Sequence, residues 1–162
     1  MRQADFERLY EEHAQRLFAF LVYRTGDRVL AEDVMADTFE AAYRARARFD
    51  RRRASERTWL YTIALNRLRD HGRRVAAETR ALERVAGDTP SAGGQPALEA
   101  METRDRVVRS LAVLSEEERE AIALRFGAEL TLKEIAVALD QPMTTVEGRV
   151  YRALRKLREE LE

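Results

Sequence analysis

The sequence predicts an all-α protein: two small helical domains joined by a flexible linker. Three observations carry this. Apolar residues recur at three- and four-residue spacing along most of the chain, with no strand-like alternation. Residues 87–96 hold three of the seven glycines and two of the three prolines, the composition of a tether. In the last third, two helix-start signatures flank a Pro-containing turn, and a strongly basic helix follows.

In chain order, Phe6, Leu9, Tyr10, His13, Leu17, Phe20, Leu21 and Arg24 share one face of a first amphipathic helix. Gly26 stops it, and Asp27 is placed to cap the next. The second helix follows Val29, Leu30, Val34, Thr38, Ala41 and Ala42 to about Arg46. Phe49 to Ser55 has no helical stripe and reads as an exposed loop. Ser55-Glu56-Arg57-Thr58 is the cap of a third helix with the apolar face Trp59, Leu60, Ile63, Ala64 and Leu68, running to about Val85. The boundaries expected are 1–85 for the first domain, 86–96 for the linker and 97–162 for the second domain.

The second domain begins with Leu98, Met101, Val107, Val108 and Leu111 available for packing. Ser115-Glu116-Glu117-Glu118 is a capping box opening a helix through Ile122, Leu124 and Phe126. Thr131-Leu132-Lys133-Glu134 is another, opening the pattern Leu132, Ile135, Ala136, Leu139. Pro142 disfavours helical geometry in the residue before it, so Asp140 to Met143 breaks the chain. Thr144-Thr145-Val146-Glu147 starts the last helix, with Val146, Val150, Leu154 and Leu157 on its packing face. Arg149, Arg152, Arg155, Lys156 and Arg158 make that helix basic. Two short helices across a tight turn, the second basic, is the layout of a helix-turn-helix. The plainer alternative is a hairpin that packs only internally; the small residues Gly148 and Ala153 favour groove insertion.

Composition removes several classes of function. Cysteine is absent, which excludes disulfide scaffolds, thiolate metal sites and cysteine nucleophiles, and His13 and His71 are the only histidines. Nothing matches a nucleophile elbow, a phosphate loop or a metal-ligand cluster, so neither catalysis nor a cofactor or metal is expected. No apolar run approaches the roughly 20 residues that span a bilayer, and the N-terminus lacks a signal-peptide core. The expectation is a soluble, cytoplasmic protein.

The net charge is zero, 29 basic against 29 acidic side chains, but the charges are zoned. Residues 1–41 carry 5 basic and 9 acidic groups, and residues 42–80 carry 12 Arg against 4 acids. Residues 81–118 return to 4 against 8, and 119–162 balance at 8 and 8. Such zoning suits separate surfaces for separate partners. Arg51, Arg52 and Arg53 precede Trp59, and Arg57, Arg67, Arg69, Arg73 and Arg74 extend the positive surface, which suits phosphate attraction. Trp59 has two readings of equal standing: an aromatic face for unpaired bases, or a core residue. Glu32, Asp33, Asp37 and Glu40 include like-charged i, i+4 pairs that a basic partner would relieve. Attraction to a helix N-terminus accounts for Glu32 and Asp33 only.

Two blocks of residues resemble a known family. Ala31-Glu32-Asp33-Val34-Met35-Ala36-Asp37-Thr38-Phe39, Phe49-Asp50 and Thr58-Trp59-Leu60-Tyr61-Thr62-Ile63-Ala64-Leu65-Asn66, with Asp70 and Arg73-Arg74, look like the second conserved region of bacterial RNA polymerase sigma factors. Leu114-Ser115, Glu118-Arg119-Glu120, Leu124-Arg125-Phe126, Leu130-Thr131, Lys133-Glu134-Ile135-Ala136, Thr145-Val146 and Arg149 look like the fourth. The order of the blocks and the absence of a third region resemble the compact extracytoplasmic-function (ECF) group of the sigma-seventy family.

The resemblance implies a job for each surface. Glu32, Asp33, Asp37 and Phe39 would dock on the clamp helices of the β′ subunit of RNA polymerase core. Arg51, Arg52, Arg53, Arg57 and Trp59, with Asn66, Arg69, Arg73 and Arg74, would melt the minus-ten promoter element and hold its unpaired strand; Asn66 lies where the family reads bases, and Arg73 and Arg74 suit phosphate. The helix-turn-helix would read the minus-thirty-five element in duplex DNA through Arg125, Lys133, Thr144, Thr145, Glu147, Arg149 and Arg152, while its domain binds the β flap. The linker would thread towards the RNA exit path, and its length permits an anti-sigma factor to hold the domains shut. The free protein is expected to be a monomer. Three positions depart from the family pattern. Glu147-Gly148 replaces a basic residue and Ser, Ala36 replaces a frequent Gln, and Asp140 replaces a turn Gly. Glu147 has three readings: capping with Thr144, which is preferred, accepting from a cytosine amino group, or weakening the contact. The competing functions are a free-standing helix-turn-helix regulator and a sigma-like regulator without promoter specificity.

Overall fold

The computed structural model describes residues 1–83, 106 and 109–162. Helices and connecting turns account for the described residues, and none of these is in a strand. The chain divides into two compact units, Met1–Gly93 and Gly94–Glu162. The expected linker at 86–96, the packing residues Leu98, Met101, Val107 and Val108, and the end of the third helix near Val85 lie outside the described residues.

In the first unit, α1 (Gln3–Thr25) packs on α2 (Arg28–Ala45), and α2 packs on α3 (Glu56–Glu83). Gly26 closes α1 at φ 66°, a left-handed conformation that costs glycine nothing, and its N–H donates to Val22 O at 2.8 Å. Asp27 caps α2 by accepting from the N–H groups of Val29 and Leu30, at 3.0 and 3.2 Å. Ser55 Oγ accepts the Thr58 N–H at 3.1 Å and so opens α3.

The core of this unit comprises Leu9, Leu17, Phe20 and Leu21 of α1, Ala31, Val34, Phe39 and Ala42 of α2, and Leu60, Tyr61, Ala64 and Leu65 of α3. Two expected stripes are rotated. Val29 is exposed, whereas Ala31 and Phe39 face inward. On α3 the fully buried face passes through Tyr61 and Leu65, while Trp59, Ile63 and Leu68 are only partly covered. The physical reason is that α3 is buried from one side by α2 above all, which leaves room for a narrower stripe than the run of apolar residues suggests. From Gly72 to Glu83 every side chain of α3 is exposed.

In the second unit, residues 109–112 are helical and lead into α4 (Glu116–Ile122). The Ser115–Glu118 capping box is complete: the Ser115 N–H donates to Glu118 Oε2 at 3.1 Å and the Glu118 N–H donates to Ser115 Oγ at 3.2 Å. The expected continuation through Phe126 is a wider π-turn, Ala123–Gly127, whose first carbonyl, that of Ala123, accepts the Ala128 N–H at 3.0 Å. This turn leaves Phe126 exposed. Thr131 Oγ1 accepts the Glu134 N–H at 3.1 Å and starts α5 (Leu132–Leu139). Asp140 ends α5 at φ 51°, the left-handed geometry that a glycine would adopt without strain.

The last helix, α6 (Met143–Leu161), packs against both α4 and α5. It corrects the sequence reading in two respects. Its N-cap is Pro142 with no side-chain cap, so Thr144 already lies within the first turn and the Thr144–Glu147 cap does not form. Its buried face is Val146, Val150 and Ala153, and Leu154 points away with 44% of its surface exposed. Seven residues after Val146, Ala153 falls almost on the same line of the helix, whereas Leu154 is turned about 100° further round.

Candidate nucleic-acid interface

The arginine loop is shaped by Asp50. Its Oδ1 accepts the Arg52 backbone N–H at 2.9 Å, and its carbonyl accepts the Arg53 N–H at 3.1 Å, forming a tight turn that places three consecutive arginines at its tip. Their side chains differ in freedom. Arg51 pairs with Glu56 at 3.0 Å, a carboxylate that Arg8 also reaches at 3.2 Å. Arg52 leans on Asp50 at 3.3 Å while remaining 91% exposed, and Arg53 is exposed with no partner among the described residues. Trp59 is half-buried; its ring meets Phe49 at 5.0 Å between centroids, tilted by 50°. Trp59 is thus neither a fully buried core residue nor fully exposed.

Along α3, Asn66, Arg69 and Arg73 are exposed and follow Trp59 and Thr62 on one side of the helix. Arg57 is partly covered at the start of α3. Arg74 does not join this face. It lines a cleft of about 360 Å3 with Asp37, Glu40, Arg44, Arg48 and Arg67 between α2 and α3.

The acidic α2 residues also separate. Glu32 lies 3.7 Å from Arg28, and Asp33 is exposed with no partner among the described residues. Asp37 Oδ2 sits 2.8 Å from His71 Nε2. Phe39 departs from the expected docking set: it is only 7% exposed, with edge-on contacts to Phe6 at 6.3 Å and Tyr10 at 4.7 Å. An aromatic ring enclosed in this way holds α1 against α2 and has little surface to give a partner.

In the helix-turn-helix, Lys133, Thr144, Glu147 and Arg152 are exposed, and Thr145 and Arg149 are partly covered. Arg125 is engaged in the fold, donating to Leu130 O at 3.3 Å across the turn before α5. Lys156, expected among the outward basic residues, is tied down. Its Nζ donates to Glu118 at 2.8 and 3.1 Å, and Arg152 Nε approaches the same carboxylate at 3.8 Å. Glu118 is 5% exposed, and the Lys156 hydrogen bond above all holds its carboxyl below the usual glutamate range. No sequence signal except a lysine far downstream pointed to this pair. Gly148 leaves room for Arg152: a Cβ there would come within 3.1 Å of the Arg152 guanidinium.

No group of three or more potential metal ligands exists among the described residues, nor is any described helix long and apolar enough to cross a membrane. The basic loop and helix in one unit, with the helix-turn-helix in the other, define a nucleic-acid-binding helical protein.

Residues 9–78 match the family described as Sigma-70 region 2, and residues 110–159 match Sigma-70 region 4. The RNA polymerase sigma factor YlaC of Bacillus subtilis is 30% identical over 165 residues, covering 99% of this chain and 95% of that protein. The ECF RNA polymerase sigma factor RpoE of Cereibacter sphaeroides is 28% identical over 159 residues, covering 98% and 87%. Among solved structures, the sigma factor RpoE of Bartonella quintana, determined with the anti-sigma factor NepR, has a TM-score of 0.75 at 25% identity over 97% of this chain and 96% of that one. CnrH, determined with the cytosolic domain of CnrY, has a TM-score of 0.71 at 29% identity over 99% and 89%. The chain belongs to the ECF group of the sigma-70 family. It is an alternative sigma factor, a non-enzymatic factor that directs transcription initiation.

Proposed function

We propose that the two units divide promoter recognition between them, with the boundaries 1–85 and 97–162 and a tether at 86–96. The loop of Arg51, Arg52 and Arg53 and the α3 face of Trp59, Asn66, Arg69 and Arg73 capture the unpaired strand of the minus-ten element. Opening duplex DNA costs a few kcal/mol per base, and base stacking on an aromatic face returns about 1–3 kcal/mol. Asn66 selects among bases, and the arginines bind phosphate. On α2, Glu32, Asp33 and Asp37 dock on the basic clamp helices of β′, with Phe39 supporting the helix from within. On the second unit, Lys133, Thr144, Thr145, Arg149 and Arg152 contact the minus-thirty-five duplex, while Arg125 supports the turn. With its capping role gone, exposed Glu147 is free to accept from a cytosine amino group.

The observation that carries this reading is one rigid helix presenting a half-open tryptophan, an asparagine and two arginines beside a three-arginine loop. The factor acts in the cytoplasm, where polymerase core and promoter are found, and is a monomer when free. The anti-sigma factor NepR, bound to the matching RpoE, supports a similar partner for this chain.

Transcription of a genomic promoter library by purified core, with and without this protein, tests the reading. New start sites should share a two-part upstream motif. Asn66→Ala should relax preference at one minus-ten position without weakening core binding. An unchanged preference profile would remove Asn66 from base reading.

A further inference from the structure

The cleft between α2 and α3 is a second basic feature of the first unit, outside the face of Trp59, Asn66 and Arg73. Two carboxylates and four guanidinium groups line it, and the carboxylates are already engaged. Asp37 pairs with His71 at 2.8 Å, and Glu40 pairs with Arg44 at 2.6 Å. Arg48, Arg67 and Arg74 have no carboxylate partner among the described residues. Four guanidinium groups against two carboxylates leave a formal excess of two positive charges around about 360 Å3, and a multiply charged oxyanion between Arg48, Arg67 and Arg74 offsets that excess. The planar guanidinium fork matches phosphate oxygens in pairs. Arg67 follows Asn66 directly, and one residue turns about 100° around a helix. The cleft therefore lies on a different side of α3 from the base-reading face.

We propose that this cleft is a phosphate-binding site with Arg48, Arg67 and Arg74 as its donors. The phosphate comes either from the promoter backbone, in which case the site rests on the function proposed above and deepens it, or from a free phosphate compound.

Two measurements distinguish the sources. Promoter affinity of holoenzyme assembled with wild-type, Arg48→Gln or Arg67→Gln chain is followed against salt. A backbone phosphate predicts that each substitution lowers the logarithmic salt slope by about 0.7 for a single strand or 0.9 for duplex. Calorimetric titration of the free chain with inorganic pyrophosphate reads the other source: submillimolar binding by wild type, lost in both variants, with promoter salt slopes unchanged. If neither the slope nor pyrophosphate binding depends on Arg48 or Arg67, the proposal is overturned. Arg48 lies in the exposed short turn Arg46–Arg48 after α2, so its substitution tests the site even if Arg67→Gln disturbs the fold. Asn66→Ala serves as the reference. Altered promoter preference in Asn66→Ala with inert arginine variants defeats the cleft alone, whereas no effect from any of the three defeats the minus-ten reading as well.

Discussion

Glu118 caps α4 through Ser115 and at the same time anchors α6 through Lys156, so one carboxylate joins two elements of the helix-turn-helix domain. Its pKa is lowered from the ordinary 4.5, first by the Lys156 hydrogen bond and then, against the cost of burial, by the Ser115 N–H and by the Lys156 and Arg152 charges. A carboxyl held low in the folded state adds stability that is fully present above the unfolded value and is lost as pH falls through the lower folded value. Glu118→Gln should therefore destabilise the domain at pH 7 by roughly 1–3 kcal/mol and flatten its loss of stability below about pH 4.5. Thermal unfolding of both proteins between pH 3 and 7 decides this; parallel pH profiles would count against the anchor. Tyr61 offers the opposite case. It is fully buried, 5.4 Å from the Phe20 ring, and its hydroxyl has no hydrogen-bond partner among the described residues. Burial pushes its pKa from 10 up to about 12. A phenol kept neutral in this way contributes stability below pH 10 that disappears as pH rises towards 12. Tyr61→Phe should raise neutral-pH stability by about 1 kcal/mol and remove that alkaline loss, as read from chemical denaturation at pH 7 and pH 11.

At the scale of elements, helix starts were more legible than helix faces. Asp27, Ser55, Ser115 and Thr131 each cap where the sequence places them, because a cap is a local hydrogen bond between neighbouring residues. Thr144 is no cap: the residue types that cap a helix also occur inside a first turn, and Pro142 takes the N-cap position before Met143. The buried faces of α3 and α6 depended on which neighbour arrived, so Tyr61 displaced Trp59 and Ala153 displaced Leu154 from the core. The turn between α5 and α6 stores strain at Asp140, whose φ of 51° is costly for any side chain. Asp140→Gly should relieve up to about 1 kcal/mol and raise the melting temperature of the domain by a few degrees. A lower melting temperature would mean that the aspartate contributes more than its backbone costs.

For the whole molecule, zero net charge conceals a chain built as acidic and basic zones. The free protein should accordingly hold promoter duplex weakly, with retention falling steeply between about 50 and 200 mM salt, whereas assembly with core should sustain it. Filter retention with and without core measures the difference; equal retention would favour a free-standing regulator. Within those zones the candidate interface was partly readable. The arginine loop, Asn66, Arg69 and Arg73 are exposed as their pattern suggests. Phe39, Arg125, Lys156 and Arg74 carry the same residue types but are drawn into the core, a turn, a buried ion pair and a cleft. The sequence by itself determined the all-α class, the caps, the charge zones and the two family blocks, because these depend on composition and on residues a turn or less apart. Only the tertiary structure decided which side of each helix is buried and which charges are spent internally, because both depend on packing partners that come together from distant parts of the chain.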